Sequence, residues 1–213
     1  MIKHSNPTLN ERRITKFLRL LKPLIHPQSV PVTVEAWHVG GEPVPYEVAV
    51  KADYKPFSVG DEWGPAWDTS WFRIRGAVPA EWAGRDTAVL FELNNFGREG
   101  FTTEGLIYSK GKPVRAINRN RNEIEVSPEA RGSETFEFYI EAAANVAPKM
   151  DPNWELSVIA PSGAMFKLEK AELSFIDHEI QQYYHDFRVA TEVMLVLPVG
   201  SQRRAELLYA LNE

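Results

Sequence analysis

The chain contains no cysteine, which excludes disulfides and thiolate metal ligands and suits a reducing compartment, so cytoplasmic residence is the expectation. No window approaches the roughly 18 consecutive apolar residues of a membrane span. The opening run MIKHSNPTLNERR has no apolar stretch behind its charges, so neither membrane insertion nor export is expected. Positive charge is not in excess either. Lys and Arg number 24 against 29 Asp and Glu, a formal net charge of -5, which argues against nucleic acid as a partner because phosphate binding needs a concentrated basic surface.

The sequence is equally poor in motifs that carry chemistry. It has no G-x-S-x-G elbow, no Walker loop, no G-x-G-x-x-G and no H-E-x-x-H, so acyl transfer, phosphate cradling and a helical zinc pair all lack a starting point. Of the histidines His4, His26, His38, His178 and His185, only His178 and His185 share a predicted helix. They lie about two turns apart, too far to share one zinc ion with bonds of about 2.0–2.1 Å. Glycoside hydrolysis needs two carboxylates roughly 5–9.5 Å apart, and Glu62, Asp68, Glu99 and Glu104 fall in predicted loops. Nothing marks a pair among them. We assign no catalytic residue, no metal ligand and no cofactor to this chain.

What is present is ordinary globular material, 44% hydrophobic and 25% charged over 213 residues, enough to bury a sizeable core. Thr8 and Glu11 read as a T-x-x-E capping box ahead of Ile14, Phe17, Leu18, Leu21 and Ile25, whose spacing of three and four predicts an amphipathic helix. Its other face carries Arg12, Arg13, Lys16, Arg19 and Lys22, which read as solvated, and Pro23 and Pro27 end it.

From Val30 to Ile176 the period changes to two, the mark of strands with one face toward a core. Phe136, Phe138 and Ile140 alternate with Thr135, Glu137, Tyr139 and Glu141, while Trp154, Leu156 and Val158 alternate with Glu155 and Ser157. Further candidates are Val32–Trp37, Trp71–Val78, Ala88–Leu93, Gly105–Ser109, Glu123–Val126 and Ala171–Phe175. Lys110–Pro113 and Ser127–Gly132 read as turns between them. About eight such strands predict an all-β, antiparallel sandwich or jelly roll.

Helical spacing returns behind Asp177 at Ile180, Tyr183, Tyr184, Phe187, Ala190, Met194 and Leu197. Pro198-Val199-Gly200 breaks this helix, and Ser201 caps another bearing Ala205, Leu208 and Leu211. The expected organisation is a helical segment at 1–28, a sandwich at 29–176 and a helical connector at 177–213. The last helix meets no stop signal before Glu213, so the natural chain is expected to continue.

The distinctive stretch is Trp63-Gly64-Pro65-Ala66-Trp67-Asp68-Thr69-Ser70-Trp71-Phe72, with tryptophans at i, i+4 and i+8. Gly64-Pro65 and the alternation of Phe72, Ile74 and Val78 favour a loop entering a strand over a helix face. Core packing is one reading of the rings. The other is a platform for a neutral sugar, with Trp67, Asp68 and Trp71 as contacts and Asn94 or Asn95 as second partners, because a sugar needs an apolar surface beside hydroxyl acceptors.

WGPAWDTSWFRIRGAVPAEWAG, Trp63 to Gly84, resembles the W-G-P-x-W-x-T-x-W-F and V-P-x-E-W-x-G pattern near the start of cytosolic and bacterial α-mannosidases of glycoside hydrolase family thirty-eight. ERRITKFLRLLKPLI, FEFYIEAAANVAP and YYHDFRVATEVMLVLPVGSQRRAELLYALNE are similar to that family's leading helix, its strand ending in E-x-x-x-N, and the helices before its catalytic barrel. Asn94–Gly100 departs from the family's glycine- and serine-rich stretch.

The resemblance implies a metal-dependent retaining hydrolase of terminal α-mannosides, its barrel opening on an H-x-D metal motif and holding an aspartate nucleophile. Neither position maps onto this chain, whose His185-Asp186 pair is adjacent. The resemblance thus implies an N-terminal accessory domain, with a zinc-like divalent metal in a catalytic domain outside these residues. That catalytic domain, a second copy of the chain and a neutral sugar are the expected partners. A free-standing carbohydrate-binding module and a structural or oligomerisation domain are the alternative readings.

Overall fold

Strict alternation along FEFYIE predicts one strand with a wet face and a dry face, and that strand proves to be an interior member of a large sheet. A computed structural model describes residues 6–94, 103–146, 149–150, 156–157, 163 and 165–213. The chain divides into two compact units, Ser29–Phe175 and a helical unit formed by the residues up to Gln28 together with Ile176–Glu213.

The helical unit contains α1 (Pro7–Leu21), continued by a 3-10 turn at Lys22–Ile25. The sandwich unit follows with β1 (Ser29–Pro31), β2 (Thr33–Val39), a single helical turn α2 (Tyr46–Ala49), β3 (Lys55–Phe57) and β4 (Glu62–Trp63). Next come β5 (Thr69–Ala77), β6 (Thr87–Glu92), β7 (Glu104–Ser109), β8 (Lys112–Ile117), β9 (Glu123–Ser127) and β10 (Thr135–Ala143). Short strands β11 (Lys149–Met150), β12 (Leu156–Ser157) and β13 (Phe166–Lys167) precede β14 (Lys170–Phe175). The chain returns to the helical unit with α3 (His178–Val196) and α4 (Gln202–Asn212).

All strand pairings given by the register are antiparallel. One sheet has the order β1-β14-β6-β9 and the other β3-β2-β5-β10-β7-β8. Between them Val34, Phe72, Ile74, Ile107, Phe138 and Ile140 meet Val89, Phe91, Ile124, Leu173 and Phe175. The all-β sandwich with helical ends is therefore present as expected. Of the Trp154–Val158 alternation, Leu156 and Ser157 form β12 against β11, whereas Trp154 and Val158 lie outside the described residues.

Lys110–Pro113 is not one turn. Lys110 and Gly111 adopt φ of 49° and 77°, the left-handed pair of a two-residue hairpin, and Lys112 already belongs to β8. Pro113 is tolerated there because β8 is an edge strand, where a missing N–H breaks no ladder. Gly105 in β7 answers a different demand: a Cβ on it would stand 2.7 Å from Ile140 Cγ2 and 3.1 Å from Ile117 Cγ1. Only a residue without a side chain admits the core at that point.

In the helical unit the helix start differs from the capping-box reading. Asn6 is the N-cap, its Oδ1 accepting from Leu9 N–H at 3.2 Å, and Pro7 occupies the first helical position. Proline costs nothing there, since that N–H has no intrahelical acceptor, so Asn-Pro outcompetes Thr8. The caps expected from sequence at Asp177 and Ser201 are formed, to Ile180 N–H at 3.0 Å and Arg204 N–H at 3.3 Å. Ile14, Met194 and Leu208 make the buried centre of this unit.

Candidate functional site

The three tryptophans of the distinctive stretch reach three environments. Trp63, in β4, turns into the sandwich core, where its Nε1–H donates to Leu93 O at 2.7 Å and its ring meets Phe72 edge-on at 5.6 Å. Trp71, in β5, points to the opposite side of the sheet, because neighbouring residues of a strand face opposite ways and Phe72 faces the core. It is fully buried with Val39, Ala49, Tyr54 and Tyr139 beneath α2. Trp71 therefore has no ring face for a sugar, which corrects the expectation.

Trp67 differs from both. It lies in the loop between β4 and β5, 56% exposed, with a φ of 76° that a non-glycine residue adopts only under constraint. The constraint is visible: Trp67 N–H donates to Ala144 O and Ala144 N–H to Asp68 O, both at 2.9 Å, while Asp68 N–H closes back on Pro65 O at 3.0 Å. Such strain costs on the order of 1–3 kcal/mol and is held in place by its surroundings. Asp68 Oδ2 sits 3.3 Å from His38 Nε2, both side chains partly exposed.

Asn94 follows Leu93, the acceptor of the Trp63 indole, so the two predicted loops do share one end of the sandwich. Asn94 itself is buried, however, and thereby withdrawn from a ligand. Asn95 lies outside the described residues. The sugar platform imagined from sequence is thus reduced to Trp67 and Asp68, with His38 as a neighbour that sequence reasoning did not single out.

A second assembly, on the outer face of the six-stranded sheet, was invisible in sequence. Tyr46 stacks on Tyr108 at 5.0 Å and meets Tyr139 edge-on at 5.6 Å, while Trp71 lies 5.3 Å from Tyr108. These rings come from α2, β5, β7 and β10, so no local pattern connects them. Beside them the Glu35 carboxylate accepts from Arg73 Nε at 2.8 Å and Arg75 Nη2 at 2.6 Å, and the Arg73 guanidinium lies 4.9 Å over the Tyr54 ring. The hydrogen bond from Arg73 holds the Glu35 carboxyl below the usual carboxylate range, and burial pushes the Tyr54 phenol up. A salt-bridged, aromatic-packed sheet face of this kind serves rigidity.

Among the described residues no group of three or more His, Asp or Glu is placed to hold a metal ion. Nor is any described helix long and apolar enough to cross a membrane. The metal expected from the family resemblance therefore has no ligand set among these residues.

Two antiparallel sheets packed over one apolar core, with an aromatic cluster on the outer face of the six-stranded sheet, make a β-sandwich module. The chain belongs to the α-mannosidase jelly roll domain family, whose sequence model matches residues 30–174. Human α-mannosidase 2C1 is 26% identical over 223 residues, covering 100% of this chain and 20% of that protein. α-Mannosidase G of Dictyostelium discoideum is also 26% identical, over 226 residues with the same coverages. The chain spans about a fifth of the length of these curated relatives. Among solved structures, a β-glucuronidase of Ruminococcus gnavus matches with a TM-score of 0.42 and 13% identity, over 70% of this chain and 28% of that one.

Proposed function

We propose that the chain acts as the accessory β-sandwich of an α-mannosidase that works in the cytoplasm. The parent hydrolyses terminal α-mannosides by a metal-dependent retaining mechanism, with the metal and the acidic residues supplied by a catalytic domain that this module packs against. The observation that carries the reading is the family match across nearly the whole sandwich, together with a tryptophan motif that the fold uses for packing at Trp63 and Trp71. The purified chain, supplied with zinc or manganese, is expected to release nitrophenol from nitrophenyl α-mannoside no faster than buffer does. Turnover that co-purifies with the chain overturns the accessory role.

Exposure on the helical unit supports a packing partner. Phe17, Leu20, Tyr183, Val193 and Val196 are exposed large apolar residues there, and Phe17 and Tyr183 meet edge-on at 6.3 Å. Studied apart from that catalytic domain, these 213 residues are expected to self-associate through such side chains. Light scattering across a concentration series checks this, and a strictly monomeric species at high concentration contradicts it.

The second reading is a neutral-sugar contact at Trp67 and Asp68, favoured by the exposure of a constrained tryptophan beside a carboxylate. Mannose at tens of millimolar is then expected to change tryptophan emission, and Trp67→Ala to remove the change. An unchanged spectrum leaves Trp67 without a sugar role.

A further inference from the structure

The outer strands of this sandwich are guarded against pairing with other chains. β1, β3 and β8 carry Pro31, Pro56 and Pro113, β8 is also bulged against β7, and β9 bears Glu123 and Glu125. Prolines, bulges and charges are the usual devices for blunting a sheet edge. The interior strand β10 also keeps an open stretch, without proline or bulge and with Glu137 as its one charge. β10 lies inside the six-stranded sheet, but β7 pairs with it only from Tyr139 to Ala143, because the Lys110-Gly111 turn leads the chain away. Thr135–Phe138 pairs with β5 on one side and with no strand on the other, among the described residues.

Ladder geometry tells which groups this leaves open. Ala144 N–H donates to Asp68 O and Val78 N–H to Glu134 O, so the even-numbered residues along β10 direct their N–H and C=O toward β5. In an antiparallel ladder these directions alternate. The N–H and C=O of Thr135 and Glu137 therefore point away from β5, and no backbone hydrogen bond joins either residue to the neighbouring turn. They open into a groove of about 1120 Å³, bordered by Phe136, Phe138, Ile124 and Val126 on the core side and by Lys110 and Val114 beyond.

We propose that this groove receives an extended peptide segment from outside the chain, which adds a short antiparallel strand to β10 at Thr135–Phe138. The chemistry of the occupant follows from the site. The two open donor–acceptor pairs are about 7 Å apart, the two-residue repeat of an extended backbone. Side chains on one face of the added strand meet Phe136 and Phe138, which pack with the core, and those on the other meet Glu137 and Lys110. The segment therefore alternates apolar with polar residues. An intact sheet edge of a second copy is disfavoured, because the open stretch is recessed between the β7–β8 hairpin and β9.

Amide exchange on the isotopically labelled chain tests this, with an acetylated, amidated hexapeptide of alternating threonine and valine as the probe. In the free chain the Thr135 and Glu137 amides are expected to exchange at least tenfold faster than those of Phe136 and Phe138. Millimolar peptide should slow them at least tenfold, the fully N-methylated peptide should not, and Val114→Trp should abolish the effect. Val114 is 56% exposed, so that variant retains its core. Thr135 and Glu137 amides already protected in the free chain overturn the proposal, as do equal slowing by the N-methylated peptide and no slowing at all. Equal slowing by mannotriose also overturns it, by making the groove a sugar site.

Discussion

Replacing Phe72 with alanine is expected to cost about 3–5 kcal/mol of stability, the range for truncating a fully enclosed aromatic side chain. Phe72 is inaccessible to solvent and makes edge-on contacts with Phe57, Trp63 and Phe91 at 5.5, 5.6 and 5.5 Å. It thus ties both sheets and the β4 segment into one packing unit. The cavity cannot collapse easily, because the surrounding rings are fixed by strand register on either side, Phe72 standing opposite Ala36 and Ile140. All six tryptophans, at positions 37, 63, 67, 71, 82 and 154, lie in sequence within the sandwich unit. Urea unfolding followed by tryptophan emission therefore reads this unit directly. A midpoint shift worth less than about 1 kcal/mol would show that the ring is not central to the core.

Replacing Arg204 with methionine is expected to lower the stability of the helical unit by about 3 kcal/mol, since hydrogen bonds to charged groups contribute roughly 1.5–3 kcal/mol each and are not additive. Arg204 Nη1 donates to Met194 O, Leu195 O and Leu197 O at 3.1, 3.0 and 2.8 Å, and Nη2 donates to Glu11 Oε1 at 2.7 Å. The first three acceptors belong to the C-terminal end of α3, whose last carbonyls have no intrahelical donor and carry partial negative charge. One guanidinium thus closes α3, anchors α4 and reaches α1. Methionine keeps much of the apolar stem and removes the donors. Helical ellipticity at 222 nm should lose its midpoint by more than tryptophan emission does. An unmoved helical midpoint would mean that water replaces Arg204 at no cost.

The Glu11 case shows what local reading can miss. T-x-x-E is a sound helix-start signal, but Glu11 finds its partner 193 residues later, and sequence distance of that order leaves no periodic trace. The caps that were legible, at Asp177 and Ser201, are ones whose donor lies three residues away. Equally, Lys110–Pro113 reads as a turn because Lys110-Gly111 and Pro113 both signal a break, although Lys112 and Pro113 belong to β8. The hairpin tolerates the proline only because nothing pairs beyond β8, a property of sheet order.

The tryptophan motif divides the same way. Period-2 alternation from Val30 to Ile176, the helical spacing at both ends and the W-G-P-x-W run were enough for fold class and family, since those depend on which faces are apolar and on short-range spacing. Whether a given indole is packed or presented was not readable. Trp63, Trp67 and Trp71 are spaced identically, yet strand pleat sends the first to the core and the last to the outer face under α2, and a left-handed backbone turn holds the middle one in solvent. The outer-face tyrosine cluster and the open edge of β10 likewise come from register and from where a neighbouring strand stops. Those are relations between segments tens of residues apart, and only the folded chain brings them to one place.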